Sequence, residues 1–225
     1  MKEHTSIFLL FFSLSISVHA QQNDTIFYDK GWNETNANNC KFYRLYVNIE
    51  DVIKVTDYYK NGKIQMTGGY KSLDFKEPTG PFFYYNRKSK LTGLELYEPH
   101  LYPIIQAKLN TSGVKIPEIE DLSAILFVTY DKNDKIRVIG YGFDKCTAHG
   151  TWLYFNKKGN LIFKYNYFLN EKDGECVCYS FYGTPMIIGN YKNVKKVGAW
   201  EYRSPDGNVY KTINYIDGKK EEIIR

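Results

Sequence analysis

Hydrophobic and polar residues alternate along most of the chain, and the alternation is clearest in the segment GTWLYFNKKGNLIFKYNY, residues 150–167. Trp152 and Tyr154 occupy alternate positions and therefore share one face of a predicted strand. Leu161 and Tyr167 do the same in the apolar run that follows. The four-residue link between the runs ends at Gly159, which fits a type I turn closed by a glycine at positive φ. This segment predicts a β-hairpin.

The hairpin pattern recurs with a period of 24 residues, starting at Gly150, Gly174 and Gly198. A single hairpin is marginally stable in water, so repeated hairpins must stack edge to edge to bury their aromatic face. The period therefore predicts a mainly all-β protein, built as a meandering antiparallel sheet of stacked hairpins. The expected turn glycines are Gly62, Gly159, Gly183 and Gly207. The expected core consists of Trp152, Tyr154, Leu161, Tyr167, Tyr191, Trp200, Tyr202, Val209 and Tyr215.

An earlier pair of repeats is predicted within residues 58–97. Gly62 precedes Tyr70 by the same eight residues that separate the first turn glycine of the later copies from its tyrosine. Gly80 begins the segment GPFFYYNRKSKLTGLELY, which ends at Tyr97. Ser89 replaces the turn glycine there, so we expect that turn to be weaker or different.

The pattern of glycine, Trp-x-Tyr, turn, Gly-x-Leu and closing tyrosine resembles the bacterial variant of the MORN repeat. The resemblance covers residues 150–172 and 198–219 well and residues 174–197 more weakly. It implies a meandering, single-layer antiparallel sheet. Members of that family are often labelled antitoxins of toxin–antitoxin pairs, and such repeats are interaction scaffolds without a shared chemistry.

The remaining chain divides by composition. Residues 1–20 read as a signal peptide, 21–57 as a leader with a first strand in KFYRLYVNI, and 58–97 as MORN-like repeats. Residues 98–145 are a degenerate repeat or insertion, irregular or helical around 99–122, followed by a hairpin in AILFVTYDKNDKIRVIGYGF. Residues 146–225 hold the later repeats.

The first 20 residues have the features of a secretory leader. Lys2 provides a positive start, an apolar run extends from Ile7 to Ile16, and Ala20 ends a small-residue cleavage pattern. The run is too short to span a bilayer, and no later segment reaches that length. We therefore expect export to the periplasm or the exterior, with no transmembrane segment in the mature chain.

Composition supports strands and argues against nucleic acid as a partner. The chain is 17% aromatic, with 21 tyrosines and 14 phenylalanines, and aromatic rings favour a pleated, half-buried surface. The net charge of +5 is modest and spread along the sequence. No basic block is dense enough to indicate nucleic-acid binding.

The four cysteines, Cys40, Cys146, Cys176 and Cys178, leave several chemistries open. An even number of cysteines in an exported chain favours disulfides. Cys176 and Cys178 take the positions of two repeat aromatics and should point to the same side of one strand, where a bridge between them is geometrically poor. We therefore expect any bridge to join Cys146 to Cys176 or Cys178. A zinc site that adds His149 to these three cysteines, and a nucleophilic pair of Cys146 with His149, are less favoured alternatives.

No recognised catalytic motif is present: the sequence lacks a His-x-x-Glu-His zinc motif, a Gly-x-Ser-x-Gly elbow and a P-loop. We expect no enzymatic activity, no cofactor and no metal. The preferred hypothesis is an exported, non-enzymatic β-repeat scaffold that binds another protein or an envelope component. One alternative is an antitoxin or immunity-type inhibitor of a partner toxin. Another is an envelope carbohydrate-binding module or hydrolase.

Overall fold

The computed structural model describes residues 25–97, 124–144 and 147–221. These residues form one antiparallel sheet of 16 strands, and no helix occurs among them. The strands are β1 (Thr25–Tyr28), β2 (Glu34–Thr35), β3 (Phe42–Ile49), β4 (Val52–Tyr59), β5 (Ile64–Tyr70), β6 (Pro78–Tyr85), β7 (Leu91–Leu96), β8 (Ile125–Tyr130), β9 (Ile136–Asp144), β10 (Thr147–Phe155), β11 (Leu161–Phe168), β12 (Glu171–Tyr179), β13 (Pro185–Lys192), β14 (Lys195–Arg203), β15 (Val209–Ile216) and β16 (Lys219–Lys220).

The predicted all-β meander is confirmed. From β3 to β16 each strand pairs with the next one along the chain, while β1 pairs with β3 and β2 lies outside β1. Both outer strands, β2 and β16, are only two residues long, and β16 pairs only with Tyr215 and Ile216 at the end of β15. Over the described residues no helix is long and apolar enough to cross a membrane.

We call the first glycine of each repeat (Gly150, Gly174 or Gly198) its head glycine. The register of the sheet explains why a tyrosine follows each head glycine by 17 residues. Each head glycine has positive φ and is the fourth residue of its strand, where the register with the preceding strand shifts. The tyrosine lies directly opposite it on the following strand of the hairpin. The pairs are Gly150 with Tyr167, Gly174 with Tyr191, and Gly198 with Tyr215. Gly80 has the same positive φ of 69° and accepts a backbone hydrogen bond from Tyr97, so the earlier repeat has this register too.

Six turns of one type connect alternate strand pairs, and all six lie at the same end of the meander. In each turn the fourth residue has positive φ and its amide donates to the carbonyl oxygen of the first residue. These fourth residues are Gly62, Ser89, Asp134, Gly159, Gly183 and Gly207. The four predicted turn glycines are therefore in the expected turns.

The expectation that the turn at Ser89 would differ is wrong. Ser89 has a φ of 59°, and its amide donates to Asn86 O at 2.8 Å as in the glycine turns. The Asn86 side chain supports this conformation because its Oδ1 accepts the amides of Lys88 at 2.8 Å and Lys90 at 3.2 Å. A polar first residue thus holds the turn without glycine at the fourth position.

The sheet uses its two faces differently along its length. We call the face that carries Phe82, Trp152 and Trp200 the ring face, and the opposite face the aliphatic face. On the aliphatic face the central strands bury a cluster of Leu94, Leu96, Leu126, Val128, Ile139, Leu153 and Phe155, together with other residues. On the ring face two smaller clusters form, one around Phe82 in the first half and one around Trp200 in the last.

On the ring face three large rings each lie against a glycine of the preceding strand. A Cβ built on Gly140 would stand 2.1 Å from the Trp152 ring, and one on Gly189 would stand 2.3 Å from the Trp200 ring. Gly68 has the same relation to Phe82, at 2.3 Å. Real Cβ atoms do not approach so closely, so only glycine admits these rings.

Most of the predicted core residues are buried or half-buried, but two differ from expectation. Val209 is 45% exposed, because it begins β15, which is covered on its outer side only by the two-residue β16. Leu161 packs on the aliphatic face with Leu153 and Phe155, because a register shift between Tyr154 and Phe155 turns it away from the ring face. The other predicted residues follow the expected alternation: Trp152, Tyr154, Tyr167, Tyr191, Trp200, Tyr202 and Tyr215.

Three expectations concern residues outside the described ranges: the signal peptide at 1–20, the irregular or helical insertion around 99–122, and the pairing of Cys146. The strand expected in KFYRLYVNI is β3, and the hairpin expected in AILFVTYDKNDKIRVIGYGF is formed by β8 and β9.

We predict that Val194→Gly raises the stability of the protein, whereas Gly218→Val lowers it. Val194 and Gly218 occupy the same position of two-residue hairpin turns, with φ of 61° and 83°. The left-handed conformation costs an L-residue about 1–2 kcal/mol, more for a β-branched one, and glycine is not penalised. The Gly218 Cβ position is free of close contacts, the nearest atom being at 3.6 Å. Shifts of opposite sign, of about 2–4 °C in melting temperature, are expected by calorimetry; a lower melting temperature for Val194→Gly would contradict the turn assignment.

We also predict that Trp200→Ala destabilises the protein far more than Trp32→Ala. Trp200 is 3% exposed, and truncation of a buried tryptophan costs about 3–5 kcal/mol. Trp32 is 41% exposed and stacks only against rings near the first edge of the sheet. The difference is measured as the shift in urea midpoint. Equal shifts for the two variants would count against Trp200 as a core residue of the repeat.

Candidate binding face and thiol pair

The middle repeat reverses the contact between ring and glycine. Cys176 stands where Trp152 and Trp200 stand in the neighbouring repeats, and the residue opposite it on the preceding strand is Tyr165 instead of glycine. The Tyr165 ring therefore fills the space that a small cysteine would leave empty. Cys176 is only 1% exposed, so the exchange of the large and the small residue between the two strands leaves no gap at this position. The two cysteines of this repeat are compatible with the fold because the large residue has moved to the other strand.

Cys176 and Cys178 point to the ring face, as expected from their alternation, and both are free thiols in the structure. Cys146 lies outside the described residues, so the bridge from it to Cys176 or Cys178 stays a prediction. Hydrogen bonding by the Cys176 thiol, supported by Lys172, Tyr165 and Lys196, lowers the pKa of Cys178 to about 7. The same hydrogen bond, together with burial, raises the pKa of Cys176.

The structure does not bring His149 to the thiol pair. The His149 ring lies between Phe143 and Phe168, with ring centres 4.6 and 5.5 Å away. Cys176 is level with Trp152, which is three residues further along β10, and lies two strands across the sheet, about 10 Å away at ordinary strand spacing. Among the described residues no group of three metal-ligating side chains occurs.

The lysines of the ring face in the second half of the sheet lie over aromatic rings. Lys172 Nζ is 3.8 Å from the centre of the Tyr165 ring, and Lys196 Nζ is 4.0 Å from that of Trp200. Lys211 Nζ is 5.8 Å from the centre of the Tyr202 ring. These cation–π contacts hold the ammonium groups against the ring surface without neutralising their charge.

On the aliphatic face of the same strands the basic residues are paired with acids. Ion pairs join Lys164 to Glu175 at 2.5 Å, Lys192 to Asp173 at 3.0 Å and Arg203 to Glu201 at 2.5 Å, and Lys195 pairs with Asp217 in the adjoining turn at 2.7 Å. Within residues 147–221 none of the ion pairs involves the three ring-face lysines. The ring face here therefore combines half-exposed tyrosines with uncompensated positive charge.

Positive charge also gathers at the end of the sheet that carries the six turns, which we call the turn edge. The lysines and arginines appear spread out in the sequence, but the meander brings alternate turns together at intervals of about 10 Å. Of the basic residues there, only Lys90 forms an ion pair, with Asp134 at 2.7 Å, among those the structure describes. The turn-edge cations are Lys60, Lys63, Arg87, Lys88, Lys90, Lys132, Lys135, Lys157 and Lys158.

The first half of the ring face buries an ion pair inside an aromatic enclosure. Arg44 donates from Nε to Asp57 Oδ1 at 2.7 Å and from Nη2 to Oδ2 at 2.8 Å. The Arg44 guanidinium carbon also lies 4.7–5.6 Å from the ring centres of Tyr28, Tyr70 and Phe75. A buried pair that forms both hydrogen bonds is a structural anchor, and removal of either partner would leave an uncompensated charge.

A second buried acid, Glu95, is also held by hydrogen bonds. Its Oε2 accepts Tyr84 Oη at 2.8 Å and Tyr97 Oη at 2.9 Å. Burial and then the Glu95 charge raise the pKa of both tyrosines, so they remain protonated donors. In the contacts described here both groups hold strands together, Arg44 through Asp57 and Glu95 through the two tyrosines.

A recess of about 350 Å³ lies beside the Arg44 ion pair and is lined in part by Trp32, Gln65 and Tyr84. The buried Gln65 Oε1 has no hydrogen-bond partner among the described residues. The recess therefore offers one acceptor next to an ion pair whose hydrogen bonds are already made. Its described lining residues do not include a serine, a cysteine or a histidine.

Sequence reasoning missed the ring-face lysines and the turn edge. The signal for the lysines was present, because Lys172, Lys196 and Lys211 alternate in register with the repeat aromatics. The turn edge could have been found by placing every four-residue turn at one end of a meander. The low pKa of Cys178 depends on neighbours from three strands and could not be read from spacing.

Comparison with known proteins does not assign a family. No family model matches the chain, and no curated protein matches it. Among solved structures the chain is similar to a chain of the Photorhabdus luminescens Tc holotoxin pore, at 13% identity and a TM-score of 0.19. That match covers 84% of this chain and 11% of the holotoxin chain, so this chain spans about a tenth of the length of the protein it matches.

We predict that two substitutions together, Tyr165→Gly and Cys176→Trp, give the middle repeat the ring-over-glycine contact of the neighbouring repeats. Tyr165→Gly should leave a cavity and cost about 3–5 kcal/mol, and Cys176→Trp should clash with Tyr165 and cost about 1–3 kcal/mol. The double variant recreates the pair formed by Gly189 and Trp200, so its loss should be about 1–3 kcal/mol smaller than the sum. Free energies of unfolding in urea measure this coupling.

Phe168→Gly with Cys176→Trp is the control, since Phe168 does not face Cys176. Equal coupling in the two cycles would refute the exchange.

Proposed function

We propose that the protein is an exported, non-enzymatic scaffold of MORN-like hairpins that binds another protein through the ring face of β10 to β15. The observation that carries this proposal is the combination of half-exposed aromatic rings and lysines without acidic partners on that face. Half-exposed aromatic rings beside cations form a surface suited to contact with a partner. Export and the MORN-like family are part of the proposal and rest on the sequence features described above.

The proposed partner presents an acidic surface. Lys172, Lys196 and Lys211 lie over aromatic rings of the ring face and have no acidic partner among the described residues. Carboxylates of a partner would supply the missing charge, and the rings would supply the apolar contact. The turn edge has the same sign of charge, so it would favour the approach of the same partner. Tyrosine, tryptophan and basic side chains are suited to interface anchors because they combine apolar area with polar tips.

The scaffold proposal accounts for the buried polar groups better than an enzymatic function. Arg44, Asp57 and Glu95 each form hydrogen bonds within the sheet. These hydrogen bonds hold neighbouring strands together, as a scaffold requires. An antitoxin or immunity-type inhibitor would be a special case of the same scaffold, in which the acidic partner is a toxin.

The test is affinity purification of the full-length protein from its native envelope, comparing wild type with a ring-face variant. The ring-face variant is Lys172→Gln/Lys196→Gln/Lys211→Gln. The control is Lys164→Gln/Lys192→Gln/Lys195→Gln, which removes the same charge from the opposite face, where exposed ion pairs contribute about 0–1 kcal/mol each. Circular dichroism and melting temperature confirm that both variants are folded.

We expect wild type and the control to retain one acidic protein that the ring-face variant loses, with binding about ten-fold weaker or more by titration. Retention should fall as salt rises. A partner that both triple variants retain equally, or that only the control loses, would contradict the proposal. Recovery of a polysaccharide with no protein would favour the carbohydrate-binding alternative and would also contradict it.

A further inference from the structure

The turns of the turn edge form a continuous row, because each turn contacts the next one along the rim of the sheet. Beside the first turn, Tyr59 Oη donates to Tyr85 O beside the second turn at 2.8 Å. The Lys90 ion pair described above joins the second turn to the third. Lys135 Nζ of the third turn donates to Lys158 O of the fourth at 3.4 Å. These contacts fix the order and the proximity of the first four turns.

The first four turns, residues 60–63, 86–90, 131–135 and 156–160, hold more positive charge than the whole chain. They contain nine lysines and arginines and two aspartates, a net charge of +7, whereas the net charge of the complete sequence is +5. All nine cations are exposed. The two-residue turns at the opposite end of the sheet contain no lysine or arginine. The positive charge is therefore concentrated on one rim.

Both aspartates of these turns form contacts within the row. Asp131 Oδ1 accepts the backbone amides of Asn133 at 2.8 Å and Lys135 at 3.1 Å, which holds the third turn. Asp134 is paired with Lys90. Apart from Lys90, none of the nine cations forms an ion pair among the described residues. Uncompensated cations therefore recur from turn to turn, at intervals of about 10 Å.

The fifth turn continues the row with exposed aromatic rings. Phe181 and Tyr182 occupy its two central positions, and they are 45% and 89% exposed. Lys158 Nζ lies 4.5 Å from the centre of the Phe181 ring, and Asn160 Nδ2 donates to Phe181 O at 2.8 Å. The fourth and fifth turns are therefore in contact, and an apolar platform adjoins the cations.

We propose that the turn edge binds a linear acidic polysaccharide, whose acid groups contact the cations while a sugar ring packs against Phe181 and Tyr182. The rim of a single-layer sheet is one turn wide, so a partner that contacts all five turns must be long and narrow. Acid groups that recur at about 10 Å along such a polymer would match the interval between turns. This surface is separate from the ring face, so the inference does not rest on the proposed protein partner.

Two features favour a polysaccharide over other polyanions. The central residues of the first four turns are lysine, arginine and asparagine, with no apolar side chain to enter a bilayer. Exposed rings are confined to the fifth turn, whereas proteins that bind single-stranded nucleic acid stack successive bases on aromatic side chains along the groove. A sugar chain needs only one such contact, because the apolar C–H face of one ring packs on the aromatic pair while its other groups stay hydrated.

The experiment titrates the full-length chain with polygalacturonate, and uses neutral dextran, polyglutamate and phosphatidylglycerol vesicles as comparison probes. The turn-edge variant is Lys88→Gln/Lys132→Gln/Lys157→Gln, which changes one cation in each of three turns. The control is the aliphatic-face triple variant described above, which removes the same charge from another surface. The ring-face triple variant is measured as well, so that a failure of this inference is distinguished from a failure of the proposed function.

We expect the turn-edge variant to bind polygalacturonate about ten-fold more weakly than wild type, and both other triple variants to stay within about two-fold of it. Binding should weaken as salt rises. Phe181→Asn/Tyr182→Asn, which keeps a polar turn, should weaken polygalacturonate binding about three-fold and leave polyglutamate binding unchanged.

Equal losses in the turn-edge variant and the aliphatic-face control would overturn the proposal, and so would a loss confined to the ring-face variant. Neutral dextran bound as tightly as polygalacturonate would also contradict it. An equal effect of the aromatic substitutions on polyglutamate would remove the role of the sugar ring. Vesicles bound more tightly than polygalacturonate would replace the polysaccharide with a membrane surface.

Discussion

The contact between an aromatic ring and a glycine of the preceding strand is the interaction on which the sheet depends. A single-layer sheet has no second layer to cover its backbone, so each hairpin must be tied to the next by side chains within the layer. Phe82, Trp152 and Trp200 do this by lying across Gly68, Gly140 and Gly189. Tyrosines then pack edge-on against the rings, as Tyr191 and Tyr215 do against Trp200 at 5.2 and 6.0 Å. The head glycine at positive φ produces the local register shift that allows this placement.

The change of face along the sheet explains why the second half has an open aromatic surface. The central strands bury their apolar residues on the aliphatic face, where Ile139 is 0% and Val128 1% exposed. Beyond β11 the buried cluster lies on the ring face and consists of Cys176, Trp200 and Tyr215, while Val177 is buried on the aliphatic face. The remaining rings of these repeats stay half-exposed, with lysines over them. This aromatic and positively charged surface, which folding uses only in part, is the one proposed to bind a partner.

The sequence predicted the repeat and its hairpins well because both depend on local spacing. Head and turn glycines, the alternation of Trp152 and Tyr154, and the closing tyrosines follow from one strand and one turn at a time. The partner glycines Gly140 and Gly189 were missed because each lies on a different hairpin from its ring, although a glycine inside a strand is a signal for close approach. Val209 and Leu161 were misplaced because exposure at the sheet edge and a register shift depend on neighbouring strands. The surroundings of Cys178 depend on three strands and were beyond the reach of spacing.

Comparison of Gly189→Ala with Gly93→Ala tests the ring-over-glycine contact most directly. Both glycines lie inside strands, and φ is not positive at either. An added Cβ would meet the Trp200 ring at 2.3 Å in one case, and Val128 O at an ordinary 3.6 Å in the other. The account predicts that Gly189→Ala lowers the free energy of unfolding in urea by about 3 kcal/mol. Gly93→Ala should change it by less than about 1 kcal/mol in either direction. Equal changes for the two variants, or a stabilised Gly189→Ala, would contradict the account.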